Sequence, residues 1–158
     1  MKFALLTLGF IVGVTATAQA RLGENADQLV ARYGQPLKES DQKNEGVKVA
    51  SADVVFQKGG FFVNVTLVDG ISVSENFWKL SGEPLSLADV RTLLAANAQG
   101  HGWEAPVVVH SEKVWLRDDS ATARLDAAGT TLLIKSKELI TAQAEAKKVA
   151  QKPTLEGF

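Results

Sequence analysis

In a chain without cysteine, side-chain chemistry near neutral pH falls first to histidine, and this sequence of 158 residues holds two. His101 stands in Gly100-His101-Gly102-Trp103-Glu104 and His110 in Val108-Val109-His110-Ser111-Glu112. With Glu104 and Glu112 they offer nitrogen and carboxylate ligands of the kind zinc takes. The helical spacing of two histidines four apart is missing, however, and no Gly-x-Ser-x-Gly elbow presents a serine nucleophile. Gly59-Gly60 and Gly100-His101-Gly102 are not placed after a strand and before a helix, where a phosphate-cradling loop would stand. Asp118, Asp119 and Asp126 could pair for glycoside chemistry, but Asp118-Asp119 falls where a hairpin should turn, so these read as exposed turn acids. The expectation is two surface histidines, no catalytic residue, no metal site and no cofactor.

Strand parity gives a more useful signal. Alternation over residues 61–67 separates Phe61, Val63, Val65 and Leu67 from Phe62, Asn64 and Thr66. In the next strand Ile71, Val73 and Phe77 share one side, which leaves Trp78 with Ser72, Ser74 and Asn76. Farther on, Val114 and Leu116 point one way and Trp115 points the other way with Lys113 and Arg117, while Thr122 and Arg124 form the polar side of the following strand. Phe62, Trp78, Trp115, Arg117 and Arg124 are thus expected on a hydrated sheet face. Large aromatics beside arginine bury much area at low entropic cost, which is the composition of a protein-binding hot spot.

The elements that must position these residues follow from capping and turn chemistry. Asn25 with Gln28 is a capping-box pattern that starts a helix carrying Leu29, Val30 and Tyr33, and Gly34 and Pro36 stop it. Residues 38–48 read as a polar loop. Strands are expected at 50–57, 61–68 and 71–78, joined by the two-residue turns Gly59-Gly60 and Asp69-Gly70. Ser86 with Asp89 caps a second helix bearing Leu87, Val90, Leu93 and Leu94. Strands return at 105–110, 113–117, 121–126 and 131–135, an alanine-rich helix at 138–150, and a frayed tail at 153–158.

The halves align. Phe56-Gln57-Lys58 matches Trp115-Leu116-Arg117, the turn Gly59-Gly60 falls on Asp118-Asp119, and Asp69-Gly70 lies over Ala128-Gly129. Each copy follows a helix containing Ala-Asp, so the unit is a helix then strands, written twice over about 24–80 and 84–137. The fold class is α+β: two tandem helix-plus-antiparallel-meander repeats, helices on one face of the sheet, with a C-terminal helix. Residues 21–137 form one domain and 138–158 the helix and tail.

Composition narrows the function. A formal charge of −1, from 17 Lys+Arg against 18 Asp+Glu, leaves no electrostatic footprint for nucleic acid. Met1-Lys2, the apolar run 3–14 and the small residues Ala18 and Ala20 before Arg21 form a signal peptide over residues 1–20. The run is shorter than the roughly 20 apolar residues of a membrane span, so no membrane insertion is expected after its removal. The protein isolated from its own cells should begin at Arg21 on N-terminal sequencing, and an intact Met1 would overturn the assignment.

A tandem helix-plus-meander unit in an exported protein of this size resembles the β-lactamase inhibitor protein fold and the related small outer-membrane assembly lipoproteins. The resemblance spans residues 25–135 and is one of element order. No functional motif of those families matches; the lipidation cysteine and the inhibitor's disulfides are absent. It implies protein binding and no residue-level roles. The expected function is a periplasmic or secreted, non-enzymatic module binding a protein or peptide of the envelope or extracellular space. Alternatives are a hydrolase using a histidine with a carboxylate, or a self-associating structural envelope protein.

Overall fold

The computed structural model describes residues 22–42 and 51–150. Residues 1–20, expected as a signal peptide, and the tail at 153–158 lie outside them. α1 (Ala26–Tyr33) opens on the expected capping box, in which Asn25 and Gln28 each accept the other's backbone N–H at 3.0 Å. Gly34, at φ +90°, closes the helix in a backbone region open to glycine at no steric cost. α2 (Leu87–Ala96) starts the same way on Ser86 and Asp89.

The strands are β1 (Lys38–Gln42), β2 (Ser51–Lys58), β3 (Phe61–Val68), β4 (Ile71–Lys79), β5 (Val107–Val109), β6 (Glu112–Leu116), β7 (Thr122–Leu125) and β8 (Thr131–Lys135). They form one antiparallel sheet in the order β1-β2-β3-β4-β8-β7-β6-β5. α1 and α2 are each followed by a four-strand meander, and the two meanders meet through their last strands. The protein is therefore mixed α+β. No described helix is long and apolar enough to cross a membrane.

The core lies between the sheet and the first two helices. Leu29 and Tyr33 of α1 and Val90, Leu93 and Leu94 of α2 join one buried cluster with Phe56, Val63, Val65, Phe77, Leu132 and Ile134. The Tyr33 and Phe56 rings lie 5.3 Å apart. α3 (Lys137–Ala150) goes to the opposite face, where Ile140, Gln143 and Lys147 look onto Val114, Leu133 and Lys135. We call this the outer face.

Three readings of the sequence are corrected. The polar stretch from Lys38 was expected as loop, but Lys38–Gln42 is an edge strand paired with β2; a strand wet on its open edge and its outer face needs no apolar alternation. His110 does not end a strand. With Ser111 it forms the two-residue turn between β5 and β6, both at positive φ (48° and 68°), a conformation that costs side-chain-bearing residues energy. Finally, an irregularity in the β3–β4 register pairs Thr66 with Ser74 and Leu67 with Ser72, so Val73 is an extra residue. Ser72 thereby moves to the helix side, and only Ser74, Asn76 and Trp78 share the outer face.

Candidate functional site

Phe62 and Trp78 are directly opposite one another on β3 and β4, half-buried on the outer face, with ring centroids 5.6 Å apart at 32°. Cross-strand aromatic pairs of this kind stabilise a sheet while presenting a broad apolar surface. Below them the same ladder carries Asn64 opposite Asn76 and Thr66 opposite Ser74. Oδ1 of both asparagines is buried without a hydrogen-bond partner, an unusual state for native polar groups. Arg124 is on this face too, two strands away on β7, exposed and 3.3 Å from Glu112.

Trp115 and Arg117 are elsewhere, and the expectation of five residues on one wet face is corrected for these two. Parity correctly groups them, but their side is the helix side: Trp115 is 8% exposed and Arg117 3%. The reversal has a local cause. Trp115 pairs with Ala123 and packs in a cluster that includes Ala121, small residues that leave volume for an indole. Arg117 is buried because its donors are met: Nε and Nη2 reach Asp119 at 2.8 Å each, Nη2 also reaches Gln99 at 3.0 Å, and Nη1 donates to the Asn97 carbonyl. Its guanidinium also lies 5.4 Å from the Trp103 ring centroid. Leu116, which parity places opposite Trp115, is 44% exposed on the outer face.

The histidines do not converge. His110 is exposed at its hairpin turn. His101 meets the β6–β7 turn instead of Glu104 or Glu112, with Nδ1 2.5 Å from Asp118 Oδ1 and Nε2 3.9 Å from Asp119 Oδ2. These three residues could offer a metal one ligand atom apiece within 4.8 Å of one another. Their contacts with one another tie the loop to the turn. The Gly102 N–H, 2.9 Å away, and His101 hold Asp118 below the usual carboxylate range, and Arg117 holds Asp119 down at about 2. Asp118-Asp119 falls at the turn, as its spacing implies.

One group escaped sequence reasoning altogether. Glu75 of β4 is fully buried on the helix side, among α1, the end of α2 and the sheet. Tyr33 Oη donates to its Oε2 at 3.3 Å, and its Oε1 has no hydrogen-bond partner. Burial pushes the carboxyl up to about 7 against the pull of Arg32, Asn97 and Tyr33. Burial and the neighbouring Glu75 raise the Tyr33 phenol.

No protein-family model matches the chain, and no curated protein is similar to it. Among solved structures it is similar to a cysteine-rich secretory protein from Staphylococcus aureus subsp. aureus Mu50, at 11% identity and a TM-score of 0.41. The likeness covers 75% of this chain and 46% of that one, so the chain spans less than half of its length. A likeness of that size assigns neither fold nor function.

Proposed function

We propose that this chain is an exported, non-enzymatic interaction module of the cell envelope that binds a protein or peptide through the outer sheet face. The observation that carries the reading is the half-exposed Phe62–Trp78 pair, standing beside an amide and hydroxyl ladder on the face opposite α1 and α2. An aromatic anchor with hydrogen-bonding neighbours is the usual composition of a binding hot spot. Arg124 extends the surface toward α3. Trp115 and Arg117 drop out of the binding set and act as its structural support.

The signal-like residues 1–20 support export to the periplasm or beyond. The order of helix then four-strand meander, present twice, supports a tandem repeat over about 24–80 and 84–137 and resembles that of the β-lactamase inhibitor protein fold and the small assembly lipoproteins. The near-neutral charge favours protein over nucleic acid as the partner.

The purified protein, immobilised and exposed to envelope and secreted extracts of its source cells, should retain a partner that a folded Phe62→Ala/Trp78→Ala variant loses. Retention of the same proteins by both forms would move the site off this face.

A further inference from the structure

The outer face carries a second feature, which the aromatic pair does not explain. α3 turns back across β8, β7 and β6, but only Leu139 and Ile140 of its first turns are half-buried, and residues 141–148 are all exposed. Its sheet-facing stripe runs Ile140, Gln143, Lys147, so polar side chains stand where a packed helix would put apolar ones. The helix therefore stands off the sheet along most of its length. Between them remains a groove of about 340 Å³ with an apolar floor of Val114 and Leu133, Ile140 of α3 above it, and three cations, Arg124, Lys135 and Lys147.

The cations crowd one another. Lys135 donates to Gln143 Oε1 at 3.2 Å, and burial, Arg124 and Lys147 together hold its ammonium below the ordinary lysine value. No described lining residue is acidic; Glu112, beside Arg124, is the one carboxylate among the described residues in ion-pair range of these three. Like charges gathered beside an apolar floor repel, and a ligand bearing carboxylates would relieve that repulsion.

We infer that this groove receives an acidic polypeptide segment, with carboxylates meeting Arg124, Lys135 and Lys147 and apolar side chains resting on Val114, Leu133 and Ile140. Charge complementarity sets the sign of the occupant, and the polar lining sets its kind. Thr122 and Gln143 also line the groove and offer hydrogen bonds to a peptide backbone, whereas an acyl chain would desolvate them without return. The inference rests on the reading of the outer face as a protein-binding surface and adds the chemistry of the partner.

The test is a titration of a fluorescein-labelled peptide of alternating glutamate and leucine with the purified protein, followed by anisotropy at low and high salt. Binding should weaken with salt, and should fall about tenfold or more in an Arg124→Gln/Lys135→Gln/Lys147→Gln variant. The single Lys147→Glu change, at an exposed position that leaves the core untouched, should weaken it as well. An all-glutamate peptide should bind less tightly because it cannot use the floor. Equal affinity for the parent and charge variants, or binding of anionic phospholipid vesicles without binding of the peptide, would overturn the inference. The Phe62→Ala/Trp78→Ala variant should bind the peptide as the parent does. Loss of peptide binding there would place the acidic segment at the aromatic pair, whereas loss of the envelope partner alone would leave both assignments standing.

Discussion

Glu75→Gln should stabilise the protein by about 3 kcal/mol at pH 8 and leave it nearly unchanged at pH 4. The carboxyl is held up at about 7 in the folded state against an ordinary 4.5. Between those values the folded state keeps a proton that the unfolded state has given up, so the folded state binds more protons and stability falls as pH rises. Below 4.5 both states are protonated and the penalty is absent; above 7 both are ionised and it is complete. A displacement of that size corresponds to about 3 kcal/mol at roughly 1.4 kcal/mol per pH unit. Glutamine keeps the shape and the acceptor for Tyr33 but carries no charge. Urea unfolding of the parent across this range should show the slope, and the variant should lose most of it. A parent whose stability is flat from pH 4.5 to 7 would mean that Glu75 is solvated or fully paired when ionised.

Trp115→Ala should cost about 3–5 kcal/mol of stability, the usual range for removing a buried aromatic. The indole is in the main core cluster, and Ala121 and Ala123 near it cannot grow to fill the space. Trp78→Ala, on the half-exposed outer face, should cost clearly less, because it removes a surface pair and leaves no closed cavity. Two tryptophans with the same sequence signature are thus separated by one urea titration each. Equal losses for both would mean that the outer face is covered as tightly as the core.

Local chemistry made much of the fold legible. The Asn25–Gln28 and Ser86–Asp89 boxes, the glycine-bearing turns and the alternation in β3 all depend on residues close in sequence, and they appear where expected. The failures depend on distant partners. Nothing near Arg117 in the chain announces that Asn97 and Gln99 will receive its donors, so a charged neighbour made Trp115 look wet. Glu75 stands between the polar residues Ser74 and Asn76, and the packing of α1 and α2 against its side of β4 buries it. For β5, three consecutive valines, Val107-Val108-Val109, are all exposed because the strand lies at the sheet edge. Of the five expected site residues, Phe62, Trp78 and Arg124 share the outer face; the groove cations were missed because the pairing of β7 with β8 brings Lys135 beside Arg124 and the return of α3 across the sheet brings Lys147.

The outer face now has two distinguishable parts, an aromatic pair on β3–β4 and a cationic groove under α3. A single partner could meet both, since β8 alone separates β4 from β7. Energetically the aromatic pair should dominate: desolvated anchors near an interface centre carry about 2 kcal/mol or more, and exposed charge pairs about 1 kcal/mol or less.

The most direct measurement is the affinity of the captured partner, purified and titrated calorimetrically against the parent and against Trp78→Ala, with unfolding curves confirming that both proteins are folded. A loss of about thirtyfold or more with Trp78→Ala would establish the outer face as the binding surface. Identical affinities for the two folded proteins would contradict it.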